Sequence, residues 1–100
     1  MDRYNVKMLP KAERDIDEIF EYLSKNKEAP EIALSLVDVI ENTILSLEYM
    51  PLRGTVRNVG IYANKDYRQI FIKNFTIVYK VDKKRHVIII VTVRYTPSEF

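Results

Sequence analysis

Apolar residues recur along this 100-residue chain with two different periods, and the change between them separates a helical half from a strand half. The short alternating run Tyr4-Asn5-Val6-Lys7-Met8 suits a first strand. Pro10 follows where a helix tolerates proline in its first turn. From Ala12, the residues Ile16, Ile19, Phe20 and Leu23 recur at helical spacing, with Glu13, Arg14, Asp17, Glu18 and Glu21 mostly on the other side. Early acids complement the dipole of this helix. Residues 24–30, rich in Lys and Asn, read as a connector. A second helix is expected from near Glu31 to about Tyr49, stopped by Pro51. Its stripe of Ala33, Val37, Ile40, Ile44 and Leu47 is widened by Ile32, Leu36, Val39 and Leu45, which predicts burial on more than one side.

Residues 52–64 contain both glycines and read as an irregular loop or bent edge. Beyond them, residues 67–95 hold three strand-like runs, divided by Lys73-Asn74 and by the charged run Asp82-Lys83-Lys84-Arg85. A two-residue turn at Lys73-Asn74 sets Ile72 opposite Phe75 and Ile70 opposite Ile77. For the next hairpin, a loop from Asp82 to His86 sets Val81 opposite Val87. It then aligns Val87, Ile89, Val91 and Val93 with Phe75, Ile77, Tyr79 and Val81. A loop one residue shorter would turn His86, Thr92 and Arg94 onto that apolar face, so the longer loop is expected. One sheet face then meets the helices. The other carries Tyr67, Gln69, Phe71, Thr76, Val78, Lys80, His86, Ile88, Ile90, Thr92 and Arg94, and any site is expected there, at its rim or in the preceding loop.

Length and composition fit a single α+β domain spanning residues 1–100. With 47% hydrophobic and 30% charged residues the chain is globular in character, and a net charge of +2 neither demands nor excludes a nucleic-acid partner. There is no cysteine, which excludes disulfides, thiolate zinc sites and cysteine nucleophiles. The opening MDRYNVKML lacks the apolar run of a signal peptide, and no apolar stretch approaches a membrane span. A soluble cytoplasmic protein without a membrane partner is expected.

The chemistry-bearing residues are cations. Arg53, Arg57, Lys65, Arg68, Lys73, Lys80 and Arg94 are spread through the sheet half, whereas most of the acids lie in the helical half, the first helix foremost. Interleaved with them are Tyr62, Tyr67, Tyr79 and Tyr95, and tyrosine stacks on bases. This pattern suits phosphates or an acidic protein segment. A solvated basic edge that guards a sheet against aggregation has the same pattern. His86, the lone histidine, belongs to a hairpin tip and has no second ligand at metal-binding spacing. Ser46 and Ser98 lack a nearby base, and glycine-rich phosphate loops are absent. No cofactor or metal is expected. Arg68 opposes Tyr79 near the end of the apolar face, where an unpaired guanidinium would be costly. It is expected either to pair with a carboxylate or with carbonyls of the loop after Pro51, or to reach over the rim to a target.

Taken in order along the whole chain, these features resemble the RelE/ParE superfamily of type II toxin–antitoxin (plasmid stabilisation) systems. The resemblance is carried by the opening strand with Pro10, by Leu47-x-x-Met50-Pro51-x-x-Gly54, by Tyr67-Arg68-x-Ile70-x-Ile72-x-Asn74-Phe75-x-Ile77-x-Tyr79-x-Val81-Asp82, and by the closing run to Tyr95. It implies a β-α-α-β-β-β fold, with an antiparallel sheet packed on a helical hairpin. It also implies neutralisation by a cognate antitoxin and growth inhibition through a core bacterial target. Within the superfamily, ParE-like members poison DNA gyrase and RelE-like members cut mRNA in the ribosome. The arginine that RNA-cleaving members carry in the third strand falls at Thr76 here. Their acid, base or arginine near the end of the last strand falls around Thr96 and Pro97. Where many ParE-like members carry two arginines, this chain has Pro97 and Ser98. ParE-like poisoning is therefore the first expectation. The alternatives are an endoribonuclease using Arg68, Lys80, Arg94 and Tyr95, and a non-toxic antitoxin-binding relative. Ile88 and Ile90 are the expected antitoxin contacts.

Overall fold

In the computed structural model, which describes residues 3–26, 29–63 and 65–97, both helices open on proline. Pro10 begins α1 (Pro10–Glu21) and Pro30 begins α2 (Pro30–Ser46), where the missing N–H costs no intrahelical bond. One turn of wider π-helix, Tyr22–Asn26, extends α1. The inward side of α1 is Ala12, Ile16 and Ile19, and its acids other than Asp15 face solvent. In α2 the buried residues are Ala33, Ile40, Thr43 and Ile44. The expected burial on several sides does not hold: Ile32 is 65% and Leu45 53% exposed, so α2 presents a single face to the core. Lys27, Glu28 and Asn64, which the expected connector and loop include, lie outside the described residues.

The sheet consists of β1 (Asn5–Met8), β2 (Thr55–Val56), β3 (Tyr67–Ile72), β4 (Phe75–Asp82) and β5 (Val87–Tyr95), in the order β1-β5-β4-β3-β2. The α+β class and the succession of elements stand as expected. The sheet itself is mixed, because β1 runs parallel to β5 while every other pair is antiparallel. The bent edge after Pro51 supplies β2, a two-residue strand.

Register follows the sequence on one side and departs from it on the other. Lys73, with φ 53°, makes the tight turn that sets Ile72 opposite Phe75 and Ile70 opposite Ile77. In the β4–β5 hairpin, however, Asp82 pairs with Val87 and Val81 with Ile88. The shorter loop is therefore the real one, closed by His86 at φ 55°. Its predicted penalty is avoided by a bulge. Tyr79 pairs with Ile90 but Val78 with Thr92, which leaves Val91 as an extra residue and resets the phase of the strand. Ile88, Ile90 and Val93 all join the core with Tyr79, Ile77 and Phe75.

Candidate functional site

Ile88 and Ile90, expected as antitoxin contacts on the open face, are both 0% exposed. The bulge at Val91 is the reason: it lets the first part of β5 present its even-numbered residues to the helices. These two side chains belong to the core and are not available to a partner.

The cations divide into separate groups. The first clamps the loop after Pro51. Tyr79, fully buried, accepts a hydrogen bond from the Gly54 N–H at 2.9 Å and donates one to the Pro51 carbonyl at 3.0 Å. Arg68 donates to the Gly54 carbonyl at 2.7 Å, and Arg53 donates to Ser46 Oγ at 2.7 Å. Gly54 is required here by close approach: a Cβ at that position would lie 2.4 Å from the Gln69 carbonyl oxygen. Burial raises the pKa of the Tyr79 phenol, and the Gly54 N–H and the two arginines pull it partly back.

A second group lies on the sheet face away from the helices. Arg57, only 5% exposed, donates to Gln69 Oε1 at 2.7 Å, and desolvation lowers its pKa. Lys80 sits 5.2 Å from the ring centroid of Tyr67, which meets Tyr62 edge-on at 5.1 Å. Where the resemblance placed an RNA-cleaving arginine, Thr76 is 1% exposed and shares a 2.9 Å hydrogen bond with Thr96. Lys65 is exposed just before β3. Ser98 lies outside the described residues. Among the described residues, no three His, Cys, Asp or Glu side chains gather into a metal site.

The third group borders a groove of about 650 Å³ between the end of α1, Leu36 of α2 and the far end of the sheet. Ile19, Leu23, Phe75 and Val93 help form its apolar walls. Glu18 stands on the helix side, Lys73 and Arg94 on the sheet side. Tyr95, 50% exposed, packs edge-on against Phe75 at 5.8 Å. Beside the groove, Asp15 accepts hydrogen bonds from the Val93 N–H, Thr92 Oγ1 and Lys11 Nζ. Sequence reasoning missed this polar cluster, since Asp15 had the spacing of an ordinary helix-face acid. The groove's lining residues lie far apart in sequence, and no local pattern marks them.

The family profile described as "ParE toxin of type II toxin-antitoxin system, parDE" matches residues 6–98. Among solved structures, the chromosomal ParDE system from P. aeruginosa aligns with a TM-score of 0.76 at 21% identity, covering 93% of this chain and 96% of that one. The RelBE2 toxin–antitoxin complex from Mycobacterium tuberculosis gives 0.66 at 21% identity, covering 95% and 93%. The RelE–RelB complex from Pyrococcus horikoshii OT3 gives 0.62 at 14% identity, covering 94% and 96%. At these identities the structural likeness is one of fold. No curated protein matches the chain by sequence. No helix among the described residues is long and apolar enough to cross a membrane.

Proposed function

Since the chain belongs to the ParE toxin family of type II toxin–antitoxin systems, we propose that it poisons a core cytoplasmic target such as DNA gyrase by surface binding, and that a cognate antitoxin neutralises it. Thr76 carries this reading. Cleavage of RNA by its own 2′-hydroxyl needs proton transfer and a donor for the crowded phosphorane charge. In β4, at the place where the resemblance puts a bidentate guanidinium, stands a buried hydroxyl already bonded to Thr96. Arg68 is committed to the Gly54 carbonyl. His86 packs against Tyr4 at 4.9 Å, at the opposite end of β5 from Arg94 and roughly 25 Å away by strand rise. Surface contact without covalent chemistry asks for none of these groups to act on a phosphate.

A second reading, ribosome-dependent mRNA cleavage, is favoured by Lys80 over Tyr67 with Tyr62 beside it, an arrangement that suits a stacked base and its phosphate. Induced expression with separate readouts for DNA damage and translation arrest tests the two. Gyrase poisoning predicts a DNA-damage response before protein synthesis falls, and primer extension without codon-specific cuts. Codon-specific cuts that vanish in Arg94→Ala would overturn the poisoning reading and promote the ribonuclease.

A further inference from the structure

We propose that the tip of the loop after β2, Val59-Gly60-Ile61, is the apolar anchor by which the toxin docks on its protein target, flanked by Tyr62, Tyr67 and Lys80. The matching surface on DNA gyrase is a small apolar pocket edged by carboxylates. The proposal rests on the target-poisoning reading above and says which part of this chain makes the contact.

The tip is held firmly from below. The Arg57 N–H donates to the Tyr67 carbonyl at 2.7 Å, and the Arg57 guanidinium donates to Gln69 Oε1 at 2.7 Å. Tyr62 meets Tyr67 edge-on at 5.1 Å. Gly60, at φ 71°, turns the chain, a left-handed value that glycine adopts without strain. The Ala63 N–H then closes one turn on the Gly60 carbonyl at 3.1 Å. On either side of the glycine, Val59 and Ile61 are 55% and 64% exposed. The backbone is thus tied down while two β-branched side chains stand in water. Such side chains are stiff, so burying them against a partner costs little further ordering.

An exposed apolar residue standing singly calls for no explanation. These two are set apart by what adjoins them. Ile61 precedes Tyr62, Tyr62 packs on Tyr67, and Lys80 sits 5.2 Å from the Tyr67 ring centroid. An apolar centre, amphipathic rings and a charged rim are the anatomy of a protein-binding hot spot. Residues 55–67 hold the cations Arg57 and Lys65 against a single acid, Asp66. With exposed Lys80 beside them, the rim favours carboxylates on the partner. A second copy of this chain, placed by a two-fold axis, would set that rim against itself, cation to cation. A phosphate backbone would meet the cations but would give Val59 and Ile61 no apolar surface to bury. The groove lies past the other end of β3, beside Lys73, about 20 Å from Tyr67 by strand rise, so tip and groove are separate surfaces.

The test is binding of the full chain to purified DNA gyrase, with thermal melting as the control for folding. Val59→Ser and Ile61→Ser should melt as the parent does, since both positions are exposed. Each should bind gyrase at least about tenfold more weakly, whereas Ile61→Leu should keep most of the affinity. Ile32→Ser removes a side chain of the same 65% exposure from α2 and should bind like the parent. Parent-level binding by both loop variants overturns the anchor and leaves target poisoning standing. Full affinity in Ile61→Ser with loss in Lys80→Glu also overturns it, in favour of a nucleic acid lying over Tyr67. An equal loss in Ile32→Ser overturns it too, because the tip would then have no special part. A parent that does not bind gyrase removes the gyrase reading and this proposal together.

Discussion

Tyr79 and Gly54, 25 positions apart in sequence, meet through a 2.9 Å hydrogen bond from the glycine N–H to the phenolic oxygen. The same hydroxyl donates to the Pro51 carbonyl, so a single side chain in the core holds both ends of a loop turn. Tyr79→Phe would keep the ring packing and leave both loop groups without this partner. The expected loss is about 1–3 kcal/mol, read as a drop of several degrees in Tm. A variant that melts with the parent would show that the loop does not depend on the hydroxyl.

The same bond has a pH signature. Burial raises the Tyr79 pKa above its ordinary 10.0. Above that pH the unfolded phenol loses its proton while the folded one still holds it, so the unfolded state binds fewer protons and stability falls as pH rises. The contribution is complete below about pH 10 and is lost as pH rises through the folded pKa. Denaturant midpoints measured at pH 9 and pH 11 should fall further for the parent than for Tyr79→Phe. Equal falls would place the alkaline loss elsewhere.

Gly54 tests the loop from the other side. A methyl group there would press on the Gln69 carbonyl at 2.4 Å and the Tyr79 hydroxyl at 2.8 Å, and backbone has little room to yield. Gly54→Ala should therefore destabilise by about 1–3 kcal/mol, like other overpacked sites. Chemical denaturation measures it, and a midpoint equal to the parent's would mean that β2 moves away from β3 without cost.

How far these features could be read from the sequence depended on whether a period was present. The i, i+4 and i+7 spacing of Ala12, Ile16 and Ile19 identified the buried side of α1, and Lys73-Asn74 fixed the β3–β4 register, because alternation on both sides admits one pairing. Residues 87–91 are all apolar. They fit either phase, and nothing local marks Val91 as the bulge. Ile88 and Ile90 were consequently placed on the wrong face. The short alternating run at the start also carries no direction, so the parallel pairing of β1 was not legible. Arg68 was legible because an arginine opposite a core tyrosine must find a partner, and the Gly54 carbonyl is among the partners foreseen. Asp15 was not, since its partners lie 77 and 78 positions away.

Arg68 separates a structural role from a functional one. Its guanidinium donates to the Gly54 carbonyl at 2.7 Å, and the residue pairs across the sheet with Tyr79. It thus ties the loop to β3 through the same glycine that the tyrosine hydroxyl holds. A hydrogen bond with a charged donor is worth about 1.5–3 kcal/mol where it is shielded from water, and this half-buried one should fall at the lower end. Arg68→Ala should lower the Tm by several degrees. Arg68→Lys should recover only part of that loss, because a flexible ammonium does not reproduce the planar donor. Growth inhibition should fall only as far as folded protein falls, which soluble expression levels will report alongside toxicity. If both variants melt like the parent and yet lose toxicity, the loop does not need this arginine, and Arg68 contacts the target directly.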